Sequence, residues 1–164
     1  MYPSNMIEDT LIIIKPDAVK RGIVGEIISR FEKAGLKIVG MKMVWIQDEH
    51  AEEHYKEHVG KSFFESLKEY ITSGPVIAMV LEGVNAVEVV RKMVGSTEPG
   101  KALPGTIRGD YCHLSIEWAD KRGKPCFNII HASSDEESAK REIELWFKPE
   151  EIHDYKRSDE DFLM

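Results

Sequence analysis

The sequence predicts an α+β fold, a βαββαβ sandwich whose antiparallel sheet carries helices on one face. Three observations point to it. Short apolar runs that suit strands alternate with longer segments of helical periodicity. Late in the chain two strand-like runs follow one another around a polar turn, an internal reversal that breaks the alternation. Glycine and proline sit at the joints between segments. A doubly wound parallel sheet is the alternative for the same elements. The chain has 164 residues with no linker or repeat, so one domain over 1–164 is expected, long enough to bury about 70% of its unfolded surface.

The first element is Leu11 to Ile14, a buried-strand run that ends at Lys15-Pro16-Asp17. From Gly22 to Ala34, Ile23, Val24, Ile27, Ile28 and Phe31 recur at helical spacing, and Gly35 stands where a C-terminal cap belongs. Leu36 to Trp45 alternates, with Val39, Met41, Met43 and Trp45 on the side expected to be buried. Asp48 to His58 reads as a polar helix, and Ser62 to Ile71 as a second one bearing Phe63, Phe64, Leu67, Tyr70 and Ile71. After Ser73-Gly74-Pro75 comes an apolar strand, Val76 to Leu81, then a helix from Asn85 to Val94 stopped by Gly95. Residues 96–109 contain two prolines and three glycines, which predicts a long irregular loop of the kind that usually serves function. Tyr111 to Trp118 and Cys126 to His131 read as strands around the polar turn Ala119 to Pro125. A last helix is expected from about Ser134 to Phe147, with a charged tail over 149–164. This order is that of the ferredoxin-like sandwich.

Hydrophobic residues at 42% and charged residues at 31% exclude disordered and fibrous classes. With 29 acidic against 22 basic residues the net charge is −7, which disfavours a general nucleic-acid or membrane-surface binder. A small anionic ligand stays possible, because a cleft needs only a few local cations. Apolar runs fall far short of the ~20 residues that span a bilayer, and no secretory signal opens the chain. Cys112 and Cys126 form no metal-type pair. They read as free thiols in a reducing compartment, so a cytoplasmic location is expected.

Two patterns are decoys. Residues 95–102, Gly-Ser-Thr-Glu-Pro-Gly-Lys-Ala, come within one residue of a phosphate-cradling loop. They lack its Ser/Thr and follow a helix instead of a strand. His50, His54 and His58 share one helical stripe, but with no further ligand arranged around them a solvated face is expected, and no protein metal site.

The segment Asn128-Ile-Ile-His131-Ala-Ser133-Ser134-Asp135 is more informative. A histidine closes an apolar strand just before a helix that Ser134 with Glu137, or Ser133 with Glu136, is expected to cap. Backbone N–H groups and the positive helix end there favour a phosphate, so His131 is placed as a nucleophile toward phosphorus. A structural histidine is the alternative. In the following helix Glu142 falls within the apolar stripe of Ala139, Ile143 and Trp146. A carboxylate turned to the core needs a partner: the imidazole of His131, which it would orient, or else a core-facing Arg or Lys. Lys15, Arg91 and Arg108 are ordinary charges singly; if they converge on His131 they would neutralise a transferring phosphoryl group.

Together these residues resemble the nucleoside diphosphate kinase family over most of the chain. Lys15-Pro16-Asp17, Arg21-Gly-Ile-Val-Gly-Glu26, Ser73-Gly-Pro75, Pro104-Gly-Thr-Ile-Arg-Gly-Asp110, Asn128-Ile-Ile-His131-Ala-Ser133 and Glu142-Ile-Glu-Leu-Trp-Phe147 look like its signatures in family order. The resemblance implies the ferredoxin-like sandwich and a ping-pong exchange, in which a nucleoside triphosphate phosphorylates Nδ1 of His131 and a nucleoside diphosphate collects the group. By that likeness Glu142, supported by Ser133, holds the ring. Lys15, Tyr55, Arg91, Thr97 and Arg108 would hold phosphates. Phe63 would stack on the base beside Leu67, and Lys15 and Asn128 would reach the sugar hydroxyls. Alone, Phe63 and Leu67 read as core, and Tyr55 and Thr97 as surface. Mg2+ would ride on the nucleotide phosphates, and a homo-oligomer, hexamer or tetramer, is implied.

Two departures stand out. The family usually has aspartate directly after the serine of its histidine motif; here Ser134 holds that place and Asp135 follows, which leaves open any carboxylate ordering magnesium-bound water. The stretch from Arg108 to Asn128 is about ten residues longer than is common in the family, as an insertion within about 114–126 would make it. A catalytically idle nucleotide-binding or regulatory module is the second reading; it predicts a missing nucleophile or missing cations. A nucleic-acid-binding role is the third, disfavoured by the charge.

Overall fold

The computed structural model describes residues 6–163; residues 1–5 and 164, the two ends of the expected domain and tail, lie outside the described residues. In chain order the elements are β1 (Ile7–Ile14), α1 (Pro16–Arg21), α2 (Val24–Lys33), β2 (Lys37–Val44), α3 (Asp48–His54), α4 (Phe64–Thr72), β3 (Val76–Val84), α5 (Ala86–Val94), α6 (Ile107–Tyr111), α7 (Ile116–Lys121), β4 (Ile130–Ala132), α8 (Glu136–Trp146) and α9 (Glu160–Leu163). The strands form one sheet in the order β2-β3-β1-β4, and every pairing is antiparallel. This is the expected βαββαβ sandwich, and the parallel alternative is excluded.

Helices cover both faces of the sheet, not one. The continuous apolar run of β1 reflects this, since a strand buried on two sides has no polar face. Ile12 and Ile14 enter a cluster with Ile27, Phe31, Val90 and Ile107 from α2, α5 and α6. Leu11 and Ile13 enter another with Ala51, Phe64, Ile71 and Trp146 from α3, α4 and α8.

Several joints follow sequence rules. Gly35, at φ +88°, closes α2 as expected, with Leu36 N–H donating to the Phe31 carbonyl at 3.1 Å and Gly35 N–H to that of Glu32 at 3.0 Å. Gly95, at φ +86°, ends α5. Other joints depart. The polar helix expected to reach His58 ends at His54 and continues only as a short 3-10 turn over Lys56–His58. Pro16 starts α1, a six-residue helix too short for its periodicity to announce it.

Further expectations are corrected here. Tyr111 to Trp118 is not a strand: Tyr111 ends α6, and Ser115 caps α7 by accepting the Trp118 N–H at 3.2 Å. Local capping wins over alternating β-formers. The polar turn over 119–125 is partly the end of α7, and pairing in β4 is confined to Ile130–Ala132. In β2, a bulge between Ile38 and Gly40 inserts one residue, which moves Val39 and Met41 to opposite faces. Val39 is buried in the α8 layer, while Met41, Met43 and Trp45 are 56%, 58% and 62% exposed at the sheet edge. Finally, Asp135 caps α8, accepting the Ser138 N–H at 2.7 Å; neither Ser133 nor Ser134 does so.

Candidate active site

β4 carries His131 opposite Ile13 of β1. Directly paired residues share a face, so the imidazole enters the layer formed by α3, α4 and α8. Its ring is partly open, with 20% of the side chain exposed. Glu142, one turn before Trp146 on α8, is 4% exposed, as a carboxylate in an apolar stripe requires. Glu142 Oε2 lies 3.0 Å from His131 Nε2 and accepts the Ser133 hydroxyl at 2.6 Å. An ionised carboxylate only accepts, so the proton of His131 sits on Nε2 and the lone pair on Nδ1. Burial works against the Glu142 anion, yet the bonds from His131 and Ser133, with Arg141 nearby, outweigh it and hold its pKa below the ordinary value.

The segment leading into β4 is held under strain. Ile129, fully buried, has φ +61°, a left-handed conformation that costs a β-branched residue roughly 1–2 kcal/mol. The surroundings over-determine it. Lys15 N–H donates to the Ile129 carbonyl at 2.8 Å, and Ile129 N–H to Asp17 Oδ2 at 3.2 Å. Tyr70 in turn donates its hydroxyl to Asp17 Oδ1 at 2.6 Å.

The expected cations converge on that segment. Lys15 Nζ donates to Asn128 Oδ1 at 2.8 Å. Arg108 is buried within α6, not loose in a loop. Its guanidinium donates to the carbonyls of Asn128 (3.2 Å), Gly95 (3.0 Å) and Ile130 (2.6 Å). Arg91, on α5, donates to the Ala132 carbonyl at 3.3 Å. Burial, then the Arg108 charge, pulls the Lys15 pKa down to about 7. Burial, then the Arg91 charge, pulls that of Arg108 to about 10. All three are anchored on oxygens of residues 128–132, the segment that carries His131, and Arg108 acts on Lys15 as Arg91 acts on Arg108, as in a site built for an anion. Thr97 is exposed, and its carbonyl accepts the Asn128 Nδ2–H at 3.1 Å, which ties the irregular loop to the site.

Tyr55 is not on the surface. It follows α3, is 7% exposed, and its hydroxyl is buried with no partner among the described residues. From His131 a file of rings runs outward through Tyr55 and His58 to Phe63, with centroids 6.3, 6.1 and 5.4 Å apart. Phe63 is not core; it is 49% exposed. Leu67 is half-buried against the α3–α8 layer.

These features decide the family. The profile for nucleoside diphosphate kinase matches residues 8–152. This chain belongs to the nucleoside diphosphate kinase family. It is 64% identical over 151 residues to the nucleoside diphosphate kinase of Pyrococcus furiosus, covering 92% of this chain and 89% of that one. Among solved structures it resembles a transition-state mimic of nucleoside-diphosphate kinase from Borrelia burgdorferi with bound vanadate and ADP, at 44% identity, TM-score 0.94 and 98% of both chains. A Halobacterium salinarum nucleoside diphosphate kinase in complex with CDP gives 44% identity and TM-score 0.86, over 94% of this chain and 97% of that one.

One member of this kinase's site escapes sequence reasoning. His54 does not lie on a solvated face: it is 3% exposed and packs edge-to-face on His131. The signal was present, since Ala51, His54 and Tyr55 follow helical spacing with the buried residues of α3, but one polar helix conceals its inner face. His54, His131 and Glu142 place one ligand-type atom each within 4.8 Å of one another. This nitrogen-rich set does not suit magnesium, a hard cation that prefers oxygen.

Proposed function

We propose that the chain transfers the γ-phosphate of a nucleoside triphosphate to a nucleoside diphosphate through a phosphohistidine at His131. The observation that carries this is an imidazole whose Nε2 is engaged by a buried carboxylate, leaving Nδ1 free, on a segment to which three cations are anchored. In the first half-reaction the Nδ1 lone pair forms a bond to the γ-phosphorus. The bond from that phosphorus to the β–γ bridging oxygen breaks, and the diphosphate leaves with the electron pair. The second half-reaction reverses this onto the terminal oxygen of another diphosphate. Glu142 stabilises the positive charge that develops on the ring, and Ser133 keeps Glu142 in place.

Lys15, Arg91, Arg108, Thr97 and the Tyr55 hydroxyl would hold the phosphates, with Lys15 and Asn128 at the sugar. Phe63, at the outer end of the ring file beside Leu67, would stack on the base. Stacking without edge hydrogen bonds tolerates any purine or pyrimidine. Mg2+ enters with the nucleotide, held by phosphates and water; no metal is assigned to protein ligands. Free cysteines support the cytoplasm as the location; among the described residues no helix is long and apolar enough to cross a membrane.

The exposed Met41 and Met43 on edge strand β2, with Trp45 just past its end, support a homo-oligomer, hexamer or tetramer. The idle-module reading is disfavoured because nucleophile, carboxylate and cations are all present, and the nucleic-acid reading by the net charge of −7.

Incubation with γ-labelled ATP should give an acid-labile, base-stable label on His131 that any nucleoside diphosphate discharges. His131→Ala should lose label and transfer while still binding nucleotide. A label that survives acid, or transfer that survives the substitution, sinks the reading.

A further inference from the structure

One buried side chain touches the reacting ring and has no task in the mechanism above. His54 ends α3, and its ring stands 4.6 Å from that of His131 with the planes 78° apart. Trp146 Nε1–H, a group that can only donate, gives its hydrogen to His54 Nδ1 at 3.0 Å. Nδ1 therefore holds the lone pair, Nε2 holds the proton, and the ring is neutral. The Nε2–H is buried with no partner among the described residues.

Protonating His54 would mean taking the lone pair that Trp146 occupies. It would also place a charge among the titratable groups that already face the ring. These are the basic side chains of His131 from β4, Lys15 from the end of β1, Arg141 from α8 and His50 from α3, the adjoining Tyr55 phenol 4.5 Å away, and the Glu142 carboxylate. Burial first, then the four basic groups, push the His54 pKa well below the ordinary value. The same tautomer argues against a metal here, since Nε2 has no lone pair to give.

The bond to Glu142 anchors one corner of the His131 ring but leaves rotation about that bond. An edge contact from a fixed neighbour removes the rotation.

We propose that His54 is a positioning residue for phosphoryl transfer: it sets the plane of the His131 ring, and Trp146 keeps it uncharged so that it adds no further cation against the charge developing on the nucleophile. The proposal rests on His131 being that nucleophile.

The test is steady-state transfer from pH 5.5 to 9 by the full chain and its variants. Trp146→Phe keeps an aromatic ring but removes the donor, which frees His54 Nδ1 to bind a proton. The acid limb of kcat should move up by about one pH unit, costing about tenfold in rate near pH 6, with KM for nucleotide within about twofold. Trp146→Phe combined with His54→Gln has nothing left to titrate there, and its acid limb should return to the wild-type position. His54→Ala should lower kcat about tenfold with KM unchanged, and His54→Gln, which can still accept from Trp146, should recover part of that loss.

An unmoved acid limb in Trp146→Phe, or a shift that persists in the double variant, overturns the neutral lock. His54→Ala with wild-type kcat overturns the positioning role, and decides the matter if Trp146→Phe does not fold. Loss of the His131 label in wild-type protein would instead defeat the function proposed above, so the two failures are distinguishable.

Discussion

Glu142 spends burial to serve a neighbour. Replaced by Gln, it can still accept from His131 Nε2, but no charge answers the developing imidazolium. Glu142→Gln should lower kcat about 10- to 100-fold with little change in KM; single-turnover rates would check this, and an unchanged kcat would remove Glu142 from the mechanism. Lys15 makes a complementary case. Its pKa is about 7 in the folded chain against the ordinary 10.5. Between those values the unfolded chain binds a proton that the folded chain lacks, so stability rises with pH. Below about pH 7 both states are protonated and the burial penalty is at its full size. Lys15→Met should therefore melt higher than wild type at pH 6, by about 2–4 °C for each kcal/mol relieved. The gap should close as pH climbs toward 10, while transfer is abolished. Calorimetry across pH tests the sign: a wild type more stable than Lys15→Met at pH 6 contradicts it.

At the scale of elements, α8 links capping to chemistry. Asp135 fixes its first turn and Glu142 sits two turns on, so a frayed cap loosens the carboxylate that holds His131. Asp135→Ala should lower Tm by about 2–4 °C and reduce kcat modestly. Asp135→Asn caps nearly as well and should restore both. If Asn restores Tm but not kcat, the carboxylate acts by its charge, as one ordering magnesium-bound water would. The elements also mark where sequence patterns mislead. Alternation called Tyr111 to Trp118 a strand, but alternation records only which residues are apolar. Serine at position 115 caps a helix, and the capped turn prevails. The β2 bulge inverted an otherwise regular pattern because a single inserted residue exchanges the two faces of a strand.

At the scale of the molecule, the edge of the sheet is half covered. The first part of β2 is shielded by the C-terminal segment, with His153 N–H donating to the Val39 carbonyl at 2.8 Å and Tyr155 Oη to that of Ile38 at 2.8 Å. Beyond the bulge, Met41 and Met43 stand bare. An unprotected apolar edge invites pairing. If the homo-oligomer proposed above assembles through this edge, Met41→Glu with Met43→Glu should reduce the solution mass measured by light scattering toward that of a monomer. An unchanged oligomer would place the contact elsewhere.

The antiparallel sandwich was legible in the sequence, although the strand read at Tyr111 to Trp118 is not one, and so was a buried Glu142 with His131 as its first candidate partner, because each rests on local spacing: a histidine at a strand end, a carboxylate inside an apolar stripe, glycine after a helix. What only the tertiary structure decided is which residues meet across distance. His54 became part of the site, Tyr55 went inside and Phe63 stayed out, because the packing of α3 against α8 determines which side of a polar helix is buried. No periodicity within a single segment carries that information; it arises when two faces from distant parts of the chain close on each other.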